Sequence, residues 1–315
     1  MVPKKTSREV AAEITALIIR KLEEGVAPWK RPWVDSEARG RPLRHCGTPY
    51  TGINNLYLWA IADARGYRSR FWMTRRQAEE LGGNVRAHEA GSLSVYYSAL
   101  TKRESDPATG EERDRKFRFL RHYVVYNCDQ IDGLPKFYYP PPLPETPIDP
   151  SARQAEIECF FKAIPADVRH GGNEAYYNPT RDFIQLPHPR SFRSMDFYAS
   201  VRAHESLHWS GSASRLGRTF GKRFGDKAYC FEELVAEIGS GLVCADLGLP
   251  SELHDSHASY VGNWIGILKA DSTAIIHAAS KAEQAFSYLR QFSDSANETA
   301  QPARTATYEP SALTT

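Results

Sequence analysis

Six prolines between residues 140 and 150 (Pro140, Pro141, Pro142, Pro144, Pro147 and Pro150) set the first limit on how this chain can fold. Proline fixes φ and has no N–H to donate, so neither a helix interior nor a central strand can run through such a stretch. The run reads as a stiff, extended linker. With 315 residues the chain suits two domains of roughly 150 residues each. We place the N-terminal domain over residues 1–136, the linker over 137–150 and the second domain over 151–292. From Ser293 the chain is small and polar, with Pro302 and Pro310, so residues 293–315 read as a disordered tail.

Within the first domain, Thr6-Ser7-Arg8-Glu9 is a capping box that opens a helix. Val10, Ile14, Leu17, Ile18 and Leu22 follow at helical spacing, and Gly25 stops it. Leu93–Tyr97 and Phe117–Tyr126 read as strands. The polar stretch Arg103–Lys116 between them, with Asp106-Pro107 and Gly110, reads as an exposed hairpin loop. In the second domain Asn173–Pro187 reads as a hairpin. Helices are expected over Ser194–Trp209, Phe231–Leu247, Ala258–Leu268 and Ser272–Phe292. The expected fold class is α+β in both parts. A small sheet with helices comes first, and then a mostly helical domain whose central helix packs beside a short sheet.

Five cysteines without CxxC spacing exclude a zinc ribbon and a disulfide scaffold, and point to a reducing cytoplasm. The polar start and the lack of a long apolar run give no signal peptide and no membrane span.

The strongest chemical pattern is His204-Glu205-Ser206-Leu207-His208. Residues four apart share one helix face, so the two imidazoles can grip one zinc ion. Glu205 can then take a proton from the metal-bound water, whose pKa zinc lowers to about 7. A catalytic zinc needs a third protein ligand and an open position. Glu233 is the best candidate, with 24 residues between it and His208. Glu237, one turn further on, would orient a ligating histidine, whereas Glu232 points away and reads as solvated. Manganese accepts the same two histidines and carboxylate. His257 and Tyr260 are candidate donors to a developing oxyanion.

Net charge is +2, but residues 1–140 carry +7 and residues 141–315 carry −5. A basic front half suits a polyanion. Aromatic and cationic residues interleave there in the manner of single-stranded nucleic-acid sites. Trp29, Lys30, Arg31, Trp33, Tyr50, Asn54, Trp72 and Arg75 are the candidate DNA contacts, with Trp29 and Trp33 expected to be exposed.

Over residues 8–292 the chain resembles the ArdC-type antirestriction proteins of conjugative plasmids. The resemblance rests on Gly25–Trp29 through Pro32-Trp33, Pro49–Asn54, Trp72-Met73-Thr74 with Gln77-Ala78, Leu81-Gly82-Gly83 and Val125–Asn127 with Gln130. In the rear it rests on Ala175–Tyr177 with Asp182, His204–Trp209, Ser214–Leu216, Glu233–Glu237 and His257–Trp264. It implies a single-stranded-DNA-binding domain followed by a zincin-like metallopeptidase domain. It also implies a gluzincin-like site with His204, His208 and Glu233 on the metal and Glu205 catalytic. The implied role is protection of incoming plasmid DNA from the recipient's restriction enzymes. One departure follows Gly82-Gly83, where Ala87, His88 and Ala90 replace an expected lysine, glycine and basic residue.

The partners expected are single-stranded DNA and a protein substrate, a host restriction enzyme among the candidates. One competing reading is a pure binding protein that shields DNA, its metal structural or vestigial. Another is a primase accessory domain. An intact Glu205 favours the peptidase, since a structural site needs no base.

Overall fold

A computed structural model describes residues 5–30, 40–105, 112–139, 150–221, 226–249 and 260–300. The front half runs α1 (Ser7–Glu23), β1 (Leu43–Arg44), α2 (Ile53–Arg65), β2 (Phe71–Met73), α3 (Arg75–Glu80), β3 (Asn84–Val85), β4 (Ser92–Ser105), β5 (Glu112–Asn127) and β6 (Ile131–Asp132). The rear half runs α4 (Pro150–Ala163), β7 (Asp167–His170), β8 (Tyr176–Asn178), β9 (Phe183–Leu186), α5 (Met195–Ser210), α6 (Lys227–Asp246), α7 (Val261–Ala270) and α8 (Ala274–Ala300). The fold is α+β, with a four-stranded sheet of order β1-β2-β5-β4 in front and a three-stranded sheet of order β7-β9-β8 behind.

Helix α1 forms where its capping box predicts, the Thr6 side chain accepting from the Glu9 N–H. The β8–β9 hairpin also lies where expected, Tyr177 pairing with Ile184. Three boundaries differ. The β4–β5 ladder continues from Ser92↔Val125 out to Ser105↔Glu112, so most of the expected Arg103–Lys116 loop is paired strand. Alternation marks only a strand with one buried face, whereas a ladder satisfies its backbone whatever its side chains. Helix α6 starts at Lys227 and not at Phe231, because Asp226 caps it by accepting from the Tyr229 N–H. Helix α8 runs to Ala300, through residues 293–300 of the expected tail. There Arg290 pairs with Asp294 at 3.1 Å, and Ser293 is buried with its hydroxyl on the Arg290 carbonyl. Local pairing of this kind carries a polar sequence on as helix.

The proline run 140–149 and residues 301–315 lie outside the described residues. Across the proline run the two halves share one apolar core, which extends from Val10, Ile14 and Trp59 to Leu207, Ile238, Trp264 and Phe286. Glu283 of α8 reaches into the front half, where it accepts from Arg41, from the Gly52 N–H at 2.9 Å and from Asn55 at 3.2 Å. Two glycines of α6 make close approaches possible. A Cβ at Gly239 would lie 2.5 Å from Leu207 of α5, and one at Gly241 would lie 2.4 Å from the Trp29 carbonyl oxygen.

His88, where the resemblance implies a glycine, adopts φ 65°. A side chain there crowds the backbone. His88→Gly is therefore expected to stabilise the fold by about 0.5–1 kcal/mol, after the extra chain entropy of glycine. The urea midpoint should rise; a lower one would contradict the strain.

Candidate metal centre

Helix α5 is capped by Ser194, whose hydroxyl accepts from the Phe197 N–H, and it carries both histidines into the interior. His204 Nε2 and His208 Nε2 lie 3.1 Å apart. Helix α6 crosses beside them and brings Glu233, one oxygen 3.5 Å from His204 Nε2 and the other 3.5 Å from His208 Nε2. Bonds of 2.0–2.1 Å at tetrahedral angles put ligand atoms roughly 3.3 Å apart. The two Nε2 atoms match that spacing, the Glu233 carboxylate straddles them with one oxygen 3.5 Å from each, and two imidazoles with one carboxylate suit a borderline divalent cation. The residues fit a metal ion.

Both histidines have a carboxylate behind them. Glu237 lies 3.4 Å from His204 Nδ1, and Glu232 lies 3.3 Å from His208 Nδ1. Glu232 is thus not solvated as its helical position suggested; it is 4% exposed. Arg218, in the loop after α5, meets it with Nη2 at 2.8 Å and Nε at 3.0 Å, while also donating to the Leu207 carbonyl and the Ser210 hydroxyl. A loop arginine has no periodicity to reveal it, so nothing local marks Glu232 as buried and paired.

The charges compensate one another. Burial opposes a charged His204, yet the Glu233 and Glu237 carboxylates outweigh it and hold this imidazole up at about 9. For His208 burial is likewise overcome, by Glu233 and Glu232, and its pKa stands well above the usual value. Burial would raise Glu233, but the two imidazoles pull it far below the usual carboxylate range. A bound cation replaces these imidazole protons. Glu205 behaves differently: burial pushes its carboxyl up, against the pull of His204 and His208 and a hydrogen bond from the Tyr177 backbone.

That backbone contact places β8 at the site. Among the described residues β8 is an edge strand of its sheet. The Tyr177 hydroxyl donates to Asp182 at 2.8 Å and accepts from Arg215 at 3.0 Å. Arg215 also pairs with Asp182 and lies 4.0 Å over the Trp209 ring, which ties β8 to the end of α5.

Of the two expected oxyanion donors, His257 lies outside the described residues. Tyr260 is buried, and its hydroxyl is 3.3 Å from that of Tyr229. Tyr229, one turn before Glu233 on α6, hydrogen-bonds the Glu233 carboxylate, and burial together with Tyr260 raises its pKa. Tyr260 therefore stands behind Tyr229, a residue that sequence reasoning missed although its i, i+4 relation to Glu233 was there to find.

The expected DNA contacts are largely corrected. Trp29 is 2% exposed and packs edge-on against Trp264, because the chain turns inward after Gly25 and does not stay on the surface. Lys30 pairs with Glu237. Trp72 is buried against Tyr67. Asn54 is consumed by β4, donating to the Val95 carbonyl and accepting from its N–H, both at 2.8 Å. Tyr50 is buried under Arg44. Arg75 is exposed over Tyr126. Arg31 and Trp33 lie outside the described residues. Among the described residues the sheet exposes the aromatic rings of Tyr96 and Tyr123, 58% and 39% accessible, with Arg121 directly opposite Tyr96. Tyr123 hydrogen-bonds the buried Tyr50, beside the exposed Arg44.

Residues 155–281 match the zincin-like metallopeptidase family, and residues 8–126 match the N-terminal domain of anti-restriction factor ArdC. The metal-free crystal structure of the antirestriction ArdC protein from plasmid R388 superposes with a TM-score of 0.75 at 42% identity, covering 90% of this chain and 98% of that one. Its Mn(II)-bound form gives 0.74 at 39% identity, covering 90% and 97%. The uncharacterized protein y4eC of Sinorhizobium fredii is 38% identical over 286 residues, 89% of this chain and 91% of that protein. Two Escherichia coli proteins named DNA primase TraC are 35% and 34% identical over 93% and 97% of this chain, which spans only 20% and 30% of their length.

Proposed function

Because the chain belongs to the ArdC family of antirestriction proteins, we propose that it protects incoming plasmid DNA from restriction, binding single strands with its front half and cleaving a protein with a metal-dependent peptidase centre in its rear half. The observation that carries this reading is the convergence of His204, His208 and Glu233. Among the described residues these three are the group placed to hold one ion. Three protein ligands leave one position open, as a catalytic site requires. The ion is zinc, with manganese as the other occupant this donor set accepts. When bound, it supplies an activated water and polarises the scissile carbonyl.

Glu205, next to His204 and absent from the ligand triad, is placed to receive a proton and pass it on. Glu237 and Glu232 orient the two imidazoles so that each Nε2 faces the ion. Among the described residues β8 pairs only with β9, so its outer edge can take an extended peptide by strand addition, alongside Glu205. On the front sheet, Tyr96 and Tyr123 offer rings for bases to stack on, and Arg44 and Arg121 offer charge for phosphates.

Removal of the metal by a chelator is expected to abolish cleavage of an unfolded protein substrate, and added Zn2+ or Mn2+ to restore it. Cleavage that survives chelation would contradict the proposed centre. The role itself is tested by plasmid establishment in restricting against non-restricting recipients. The wild type should protect, and Glu205→Gln should lose protection while keeping its metal. Protection that persists in Glu205→Gln would assign the role to DNA shielding alone.

A further inference from the structure

Behind the metal centre stands a cation from the other half of the chain. Lys30 Nζ lies 2.9 Å from one Glu237 oxygen, and the two side chains are 8% and 1% exposed. The other Glu237 oxygen lies 3.4 Å from His204 Nδ1. The relay therefore runs Lys30–Glu237–His204, and His204 Nε2 is one corner of the ligand triangle. Lys30 lies within residues 8–126, outside the peptidase match over residues 155–281.

The local packing explains how a front-half residue arrives there. The chain leaves α1 at Gly25, and the Lys30 N–H closes a turn on the Ala27 carbonyl at 2.8 Å. Trp29 then packs against Trp264 of α7, its backbone in the gap that Gly241 leaves. Positions 237 and 241 are one helical turn apart, so Trp29 and Lys30 dock on successive turns of α6. A carboxylate as deeply buried as Glu237 needs a compensating charge and a fixed partner for each oxygen. Lys30 supplies one, and His204 takes the other.

We propose that the front half completes the metal centre: Lys30 holds Glu237 in place behind His204, so that metal affinity depends on a residue outside the peptidase unit. Lys30 is a positioning residue and touches neither metal nor substrate. Loss of such an outer partner typically weakens metal binding by about 10- to 100-fold. The inference rests on the reading of His204, His208 and Glu233 as a metal site.

The test is a chelator-competition titration of Zn2+ on the full chain, comparing wild type, Lys30→Met, Lys30→Arg, Glu237→Gln and the Lys30→Met/Glu237→Gln pair. Lys30→Met should weaken binding about 10- to 100-fold, and Lys30→Arg should restore most of it. The double variant should bind no more weakly than Glu237→Gln alone, since both changes break one relay. The pair also removes the buried charges together, so it stays informative if Lys30→Met alone folds poorly. Wild-type affinity in Lys30→Met, or losses that add in the double variant, would overturn the proposal. Failure of the wild type itself to bind Zn2+ would instead remove the metal site on which it rests.

Discussion

Glu205→Gln is expected to cut peptide hydrolysis by about a thousandfold or more while leaving metal content unchanged. General-base catalysis contributes about 10²–10⁴ in rate, so removing the base should cost a loss of that order. Among the described residues the group that could hold an ion is His204, His208 and Glu233, without Glu205. Glutamine keeps the size of the side chain and can still accept from the Tyr177 backbone, so the buried setting of position 205 survives. What goes is the ability to take a proton. The check pairs kcat/KM on a cleavable peptide with metal stoichiometry on the same preparation. Activity above a tenth of wild type would show that another group serves as base, and loss of metal would make position 205 a ligand.

Replacing Tyr96 and Tyr123 together with alanine is expected to weaken single-stranded DNA binding by about a hundredfold. Stacking a base on an aromatic ring is worth about 1–3 kcal/mol, and both rings stand exposed on one face of the front sheet. Tyr96 stands on the surface, so its loss should move stability little, whereas the loss of Tyr123 takes a hydrogen-bond partner from the buried Tyr50, so the urea midpoint of the double variant is measured alongside. Arg44→Ala and Arg121→Ala should act differently, reducing the dependence of affinity on salt. Fluorescence anisotropy with a labelled oligonucleotide, at two salt concentrations, separates the two effects. Unchanged affinity in the double tyrosine variant would place the strand elsewhere on the front half.

How much of this was legible in the sequence depends on the range of the interactions involved. The spacing of His204 and His208, and the helical phase of Glu233 and Glu237, are local, and the structure brings all four together. The capping box at Thr6 and the turn between β8 and β9 are local too. Missed features depend on contacts across the chain. Glu232 is buried by Arg218, fourteen residues earlier and in a loop. Trp29 and Lys30, flanked by charge and proline, look exposed until α6 presents Gly241 and Glu237 to them. The front aromatics divide into core and surface by sheet register, so composition alone singled out Trp72 and Tyr50 and passed over Tyr96 and Tyr123. The proline run suggests two separate units, but the core they share is visible only in the packed chain.

An open metal centre held by two imidazoles and one carboxylate is what X-ray absorption spectroscopy of the zinc-loaded protein reads out. Two histidine nitrogens, one carboxylate oxygen and one exchangeable oxygen at about 2.0–2.1 Å are the expected first shell. A site closed by four protein ligands, or one lacking both histidines, would contradict it and return the rear half to a structural role.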